Sequence, residues 1–219
     1  MTERGLSQCG FPPGARIVDV GCGTGASVTY LREKHRFRAL GFDVSGGLFR
    51  NDGSANTIPI ALARAEELPM PDDSCDGVLC ECVLSLVKEP RQAVGEFSRV
   101  LRPGGFLILS DIYDRSADNV APNESTISGP CASALQSRPF VGKLLEDSGF
   151  CLRAWEDHTR YLKELAAQLI LSNESLTDFH DLCAVFDAGC TSSPGSLPVR
   201  PGYYLLVAQK MTKGEAFHG

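Results

Sequence analysis

Ile17-Val18-Asp19-Val20-Gly21-Cys22-Gly23-Thr24-Gly25 is a short apolar run carrying one acid, and it empties into three alternating glycines. The pattern predicts a strand feeding a nucleotide-binding loop. Glycines serve such a loop because, lacking Cβ, they take positive φ and let backbone N–H groups approach a bulky ligand. Ala26 to His35 continues as a predicted helix, with Val28, Tyr30 and Leu31 spaced to face a sheet. The loop therefore stands at a helix N-terminus, where ligand polar groups meet N–H donors that the helix leaves unpaired.

Two cofactor readings compete here. Gly21 to Ala26 satisfies the dinucleotide pattern G-x-G-x-x-G/A, so a nicotinamide- or flavin-dependent oxidoreductase is one reading. Asp19 favours the other. A carboxylate near the end of a central parallel strand is costly unless it meets a ligand or a hydrogen-bond donor. It suits a cofactor bearing an ammonium and a sulfonium better than one bearing a pyrophosphate. The stretch resembles the D-x-G-x-G-x-G motif of class I S-adenosylmethionine-dependent methyltransferases, in particular the small-molecule enzymes similar to the ubiquinone and menaquinone methyltransferases.

Further segments follow that family in order. Arg38 to Asp43 reads as the second strand, with Asp43 about 20 residues beyond the glycine loop, where an acid accepts the ribose hydroxyls. Val44-Ser45 resembles the family's D-x-S step, whose middle residue packs on adenine. Ile58 to Ala63 is a third strand, and Arg64-Ala65-Glu66-Glu67-Leu68-Pro69-Met70 resembles D-A-E-x-L-P-F. Arg64 stands where the family carries the acid that accepts the adenine amino group. A guanidinium has no acceptor, which leaves the backbone around Ala65 and Glu66 to hold the base, or a weaker nucleotide end. Cys75 to Cys80 is the fourth strand; Ala93 to Gly105 resembles the helix and turn A-L-x-E-x-x-R-V-L-x-P-G-G; Phe106 to Ser110 is the fifth strand, ending at Asp111.

The implied fold is α/β: a doubly wound, Rossmann-like seven-stranded sheet with an antiparallel last strand. Residues 1–219 read as one methyltransferase domain, with 112–137 as a lid loop rich in Ser, Asn, Gly and Pro. Pro139 to Ser148 is a helix stopped by Gly149, Phe150 to Trp155 the sixth strand and Gly202 to Ala208 the seventh. Between the last two, Tyr161 to Leu171 and Leu176 to Ala188 predict a helical insertion over 159–200. The chain starts shortly before the first strand, so the insertion is expected to cover the site in place of N-terminal helices, or to pack on a second subunit as a homodimer.

Composition bounds the rest. The chain has 219 residues, 43% hydrophobic, with net charge −6. That balance argues against nucleic-acid binding, which needs a positive field, and the family's N-P-P-Y signature for nucleic-acid amino groups is absent after strand four. No run is long enough to span a bilayer and no signal peptide is evident, so a cytoplasmic protein is expected. Nine cysteines is an odd number, incompatible with a complete disulfide framework.

The resemblance implies S-adenosylmethionine as cofactor, held by Asp19, Gly21, Cys22, Gly23, Gly25, Asp43, Val44, Ala65, Glu66 and Glu81, and a small-molecule acceptor. Cys80, Cys82, Ser85 and Tyr113 are the candidate acceptor contacts. Cys80 and Cys82 are two apart, so a strand puts both sulfurs on one face. They either pack under the sheet or form a pocket for a soft acceptor; without a C-x-x-C or a Cys/His cluster, no metal site is expected. Glu81, Asp111 and Tyr113 are candidate proton acceptors, and His158 reads as an exposed residue. A methyltransferase-like nucleotide-binding module without turnover remains the alternative to an enzyme.

Overall fold

The structure is a computed structural model that describes residues 1–46, 58–116, 135–164 and 200–212. Its strands are β1 (Arg16–Val20), β2 (Arg38–Asp43), β3 (Ile60–Leu62), β4 (Cys75–Glu81), β5 (Leu101–Asp114), β6 (Gln136–Ser137), β7 (Phe150–Asp157) and β8 (Pro201–Lys210). They form one sheet in the order β3-β2-β1-β4-β5-β8-β7, with β6 paired to β5 off this path. Strands β1 to β5 run parallel, and β8 is antiparallel to both β5 and β7. The predicted doubly wound sheet with an antiparallel last strand is therefore the observed one, with the two-residue β6 added.

Alternation along the strands explains why both faces are covered. Val18, Val78, Leu107 and Leu206 belong to one core cluster, whereas Ile17, Leu79, Ile108 and Leu205 belong to the other. A strand of period 2 that is apolar at successive positions must be buried on both sides. Helices α3 (Pro90–Val100) and α4 (Arg138–Asp147) cover the first face through Ala93, Phe97, Val141 and Leu144. Helices α1 (Thr2–Leu6) and α2 (Ala26–Glu33) cover the second through Leu6, Val28 and Leu31. Tyr30, expected on the sheet-facing side of α2, instead donates its hydroxyl to Glu3 at 2.5 Å.

Three sequence expectations change. Strand β5 continues past Ser110 to Asp114, because its end stays paired with β8 as far as Asp114 opposite Pro201. Residues 112–116 are thus strand and turn rather than lid. A short helix, α1, does stand before β1, and it reaches the cleft through Thr2. Of the helical insertion, residues 159–164 are helical; the remainder, like 117–134 of the lid and Cys131, Cys183 and Cys190, lies outside the described residues.

Order in the sheet positions the site. Strand β1 has β2 on one side and β4 on the other, so consecutive connections leave it in opposite directions, and ligands bind outside the carboxyl ends at such a point.

Candidate active site

The glycine loop is clasped to the end of β2. Gly21, Gly23 and Gly25 have φ of 76°, 53° and 82°, a region that costs a side-chain-bearing residue about 1–2 kcal/mol. A Cβ on Gly25 would also stand 2.5 Å from Ile60 Cδ1. The N–H groups of Gly21 and Cys22 donate to the Phe42 carbonyl at 2.7 and 3.1 Å. Gly23 N–H donates to Asp43 Oδ2, and Ser45 N–H to Oδ1, both at 2.8 Å. Asp43 is thereby fixed in orientation, and a carboxylate's remaining lone pairs can still accept ribose hydroxyls.

Cys22 is a correction. Its N–H is bonded to Phe42, its carbonyl accepts from Gly25 N–H at 2.8 Å, and its buried sulfur packs over Gly41. Burial, then the charges of Asp19 and Asp43, push its thiol up to about 12. Its side chain supports the loop from beneath and lines neither of the two cavities described below.

Asp19 is the most informative side chain. It is 2% exposed, and its Oδ2 is the one buried side-chain polar atom without a partner among the described residues. Burial raises its carboxyl to about 7, opposed by a bond from Ser27 and assisted by the charges of Glu81 and Asp43. An unmatched buried carboxylate oxygen costs of order 1–3 kcal/mol. Beside it, α2 begins at Gly25 with no side-chain cap, so first-turn N–H groups at Ala26 and Ser27 favour an anion. An acceptor for an ammonium and donors for a carboxylate, side by side, match the amino-acid end of S-adenosylmethionine.

Two cavities, each of about 400 Å³, meet at Glu81. One runs along the nucleotide side past Gly21, Asp43 and Val44 to Arg64, Ala65 and Glu66. The other lies between α1 and α2 and includes Thr2, Ala26 and Ser27. Val44 and Leu86 are 64% and 78% exposed on the nucleotide cavity, an apolar pair suited to a base. Arg64 donates to Glu66 Oε1 at 3.0 Å. The Arg64 guanidinium thus lies against a carboxylate that itself lines the cavity. The E-x-x-R pair of α3 holds this wall: Glu96 accepts from Leu68 N–H at 2.9 Å, and Arg99 donates to the carbonyls of Leu68 and Met70.

The acceptor-side candidates divide. Cys80 is 1% exposed in the core, where burial pushes its thiol well up, so it does not line the cleft. Cys82 is exposed and lines the nucleotide cavity. The shared-face argument fails because β4 ends at Glu81 and Cys82 has φ of 56°, turning it out of the strand. Asp111 is 2% exposed and accepts from Ser85 N–H, Ser85 Oγ and Ile112 N–H at 2.9, 2.8 and 2.7 Å. Together Asp111 and Ser85 tie the turn after β4 to β5, in a structural role. Tyr113 is 2% exposed, packed edge-on against Trp155 and Tyr204, so it is neither a proton acceptor at the mouth nor an acceptor contact. His158 is half-buried, bonded to Glu156 at 2.8 Å and stacked on Tyr161, and it lines a different cavity from Glu81.

Glu81 remains at the mouth, accepting from Thr2 Oγ1 at 2.7 Å and Ser110 Oγ at 3.4 Å. Sequence reasoning missed Thr2, Ser110, Tyr203, Leu86 and Lys88. Tyr203 and Ser110 come together only through the β5–β8 register, which no local pattern encodes; the aromatic pair Tyr203-Tyr204 in an apolar strand is the one hint.

Comparison with known proteins fits this geometry. Residues 18–109 match the family model described as the methyltransferase domain. Residues 18–109 carry a methyltransferase domain. It is 32% identical over 164 residues to methyltransferase GfsG of Streptomyces halstedii, covering 69% of this chain and 58% of that one. It is 25% identical over 196 residues to phosphoethanolamine N-methyltransferase 1 of Arabidopsis thaliana, covering 83% of this chain and 40% of that one. The chain thus spans about half the length of these curated relatives. A crystal structure of the cyclase SpnF has the same fold, with TM-score 0.71 and 25% identity over 96% of this chain and 80% of that one. No helix of the described residues is long and apolar enough to cross a membrane.

Proposed function

We propose that the chain transfers a methyl group from S-adenosylmethionine to a small-molecule acceptor. The observation that carries this reading is the unpartnered Asp19 Oδ2 beside the uncapped start of α2. Bound there, the cofactor supplies a methyl on a sulfonium, open to in-line displacement. Asp19 and the α2 N-terminus hold its amino-acid end, Asp43 its ribose, and Val44, Leu86 and the 64–66 segment its base. Glu81 lines both cavities, which supports reading it as the residue nearest the methyl. We read the acceptor as small because the net charge of −6 gives no field for nucleic acid. The free thiols among the described cysteines suit a reducing compartment such as the cytoplasm.

The second reading, binding without methyl transfer, is favoured by one observation: a protein described as a cyclase shares the fold. Thermal melts and product analysis decide between them. S-adenosylhomocysteine at a hundred times its dissociation constant should stabilise the protein by about 2.7 kcal/mol, and nicotinamide dinucleotides should not stabilise it. Asp43→Ala should weaken that binding at least about tenfold, since a charged acceptor is lost. Stabilisation by nicotinamide alone would reverse the cofactor assignment. Binding without release of S-adenosylhomocysteine from S-adenosylmethionine, across hydroxyl, amine and thiol acceptors, would select the second reading.

A further inference from the structure

Glu81 and Cys82 are neighbours in sequence and both line the nucleotide cavity. Behind that wall, their side chains are joined by a path that leaves the cavity and returns to it. Cys82 Sγ lies 3.4 Å from the Tyr203 hydroxyl. That hydroxyl donates to Ser110 Oγ at 3.2 Å, and Ser110 donates to Glu81 Oε1 at 3.4 Å. Tyr203 has one proton and gives it to Ser110, so the Cys82 S–H is the donor to Tyr203. Every donor in the path points toward Glu81, whose carboxylate only accepts, and Thr2 donates to its other oxygen.

This direction has a chemical reading. Three segments distant in sequence (α1, β5 and β8) contribute one polar group each to the surroundings of a single carboxylate, and Cys82 adds a fourth. Packing does not require it: Ser110 is wholly buried in a central strand, where alanine fills the same place without a partner. We propose that Tyr203 and Ser110 are positioning residues that aim Glu81 as the proton acceptor for a hydroxyl-bearing small molecule seated against the Glu81–Cys82 wall. The proposal rests on the methyl-transfer reading and adds the acceptor class to it. In the step, the acceptor's hydroxyl oxygen bonds to the methyl carbon, and the carbon–sulfur bond breaks, leaving its electron pair on sulfur. The hydroxyl proton ends on Glu81, which also faces the second cavity beside Thr2 and can release it there.

A thiol gives up its proton to water more readily than a phenolic hydroxyl does, with ordinary values of about 8.5 against about 10, so it depends less on this path. Cys82 is not a ready soft ligand either, because desolvation of its sulfur and the charges of Asp111 and Glu81 raise its thiol. The titratable groups around the wall are Asp19 of β1, Asp43 of β2, Asp111 of β5, Tyr203 of β8 and the amino terminus, with Arg64, Glu66 and Lys88 on the nucleotide cavity and Glu3 on the second.

The test uses Tyr203→Phe, which removes one hydroxyl, with Ser110→Ala as the second variant. Calorimetry measures S-adenosylhomocysteine affinity. Transfer of labelled methyl is followed to phenol and catechol as hydroxyl probes and to 2-mercaptoethanol as thiol probe, across pH. The unaltered protein should methylate a hydroxyl probe in preference to the thiol. Each variant should lower kcat at least about tenfold and displace the acid limb of the pH profile, with KM and S-adenosylhomocysteine affinity unchanged. Superimposable profiles for Tyr203→Phe, a loss confined to KM or to cofactor affinity, or methylation of the thiol alone would overturn the proposal and leave the cofactor reading standing. Failure of the unaltered protein to bind S-adenosylhomocysteine would overturn both.

Discussion

The two ends of the cleft are built by different means. At the nucleotide end, residues close in sequence do the work: the glycine loop, Asp43 and Ser45 are joined by backbone N–H donors. At the acceptor end, Thr2, Glu81, Ser110 and Tyr203 meet only because the sheet brings them together. The cofactor side also contains, at its amino-acid end, a buried carboxylate with an unmatched oxygen, Asp19, whereas the acceptor end contains a buried carboxylate that is matched, Asp111. An unmatched group is held at a cost in stability and belongs to a ligand; a matched one belongs to the fold.

The sharpest way to break that contrast is Asp19→Asn, for which the largest effect is expected. Loss of the charged acceptor should weaken S-adenosylhomocysteine binding about ten- to a hundredfold, as hydrogen bonds to charged groups contribute about 1.5–3 kcal/mol. The ligand-free variant should nevertheless be more stable at alkaline pH. The folded carboxyl titrates at about 7 against an ordinary 3.8, so ionising it costs about 4 kcal/mol. That cost begins above the unfolded value and is complete above the folded one, so ligand-free stability falls as pH rises through this window. Asparagine removes the ionisation but still buries an amide, so a gain of about 2 kcal/mol is expected well above neutrality, vanishing in acid. For the native protein, affinity should rise with pH over the same window as Asp19 ionises. Calorimetry and melts across pH measure both; equal affinity in the variant would show that Asp19 is only a structural group.

A smaller effect separates the two thiols of the acceptor end. Cys80→Ser places a hydroxyl in the apolar core and should cost about 1–3 kcal/mol. Cys82→Ser, at an exposed position, should stay within about 0.5 kcal/mol. Denaturant unfolding reads the difference. Equal losses would mean that Cys82 is as much a core residue as Cys80, and the wall would lose its exposed end.

The same contrast explains what was legible in the sequence. Strands β1, β2 and β4, the helix after the glycine loop and the roles open to Asp19 and Asp43 follow from period, turn chemistry and spacing, all local. The doubly wound sheet follows from apolar runs such as Ile17 to Val20, buried on both faces. Asp111 and Tyr113 were misplaced because the end of β5 is set by pairing with β8, which is remote in the chain. Cys82 escaped the strand alternation through a positive φ at a non-glycine residue, for which its side chain gives no sign. Tyr203 is visible only once the register between β5 and β8 is known.

The smallest expected effect concerns Arg64, which stands where the family resemblance places an acid. In sequence it looks like a defect of the adenine end, but its guanidinium is largely exposed and lies against Glu66, a nearly buried carboxylate on the same cavity. On the proposed reading, the acceptor that Arg64 lacks is supplied by Glu66, two residues later. Arg64→Ala removes a half-exposed ion pair, and such pairs contribute about 0–1 kcal/mol, so stability should move by no more than that. Affinity for S-adenosylhomocysteine should change less than about threefold, because Glu66 stays in place to accept from the base. Glu66→Ala should weaken binding more than Arg64→Ala does. The reverse order in calorimetry would mean that the arginine itself contacts the ligand, and the nucleotide end would then depend on a side chain no less than the acceptor end does.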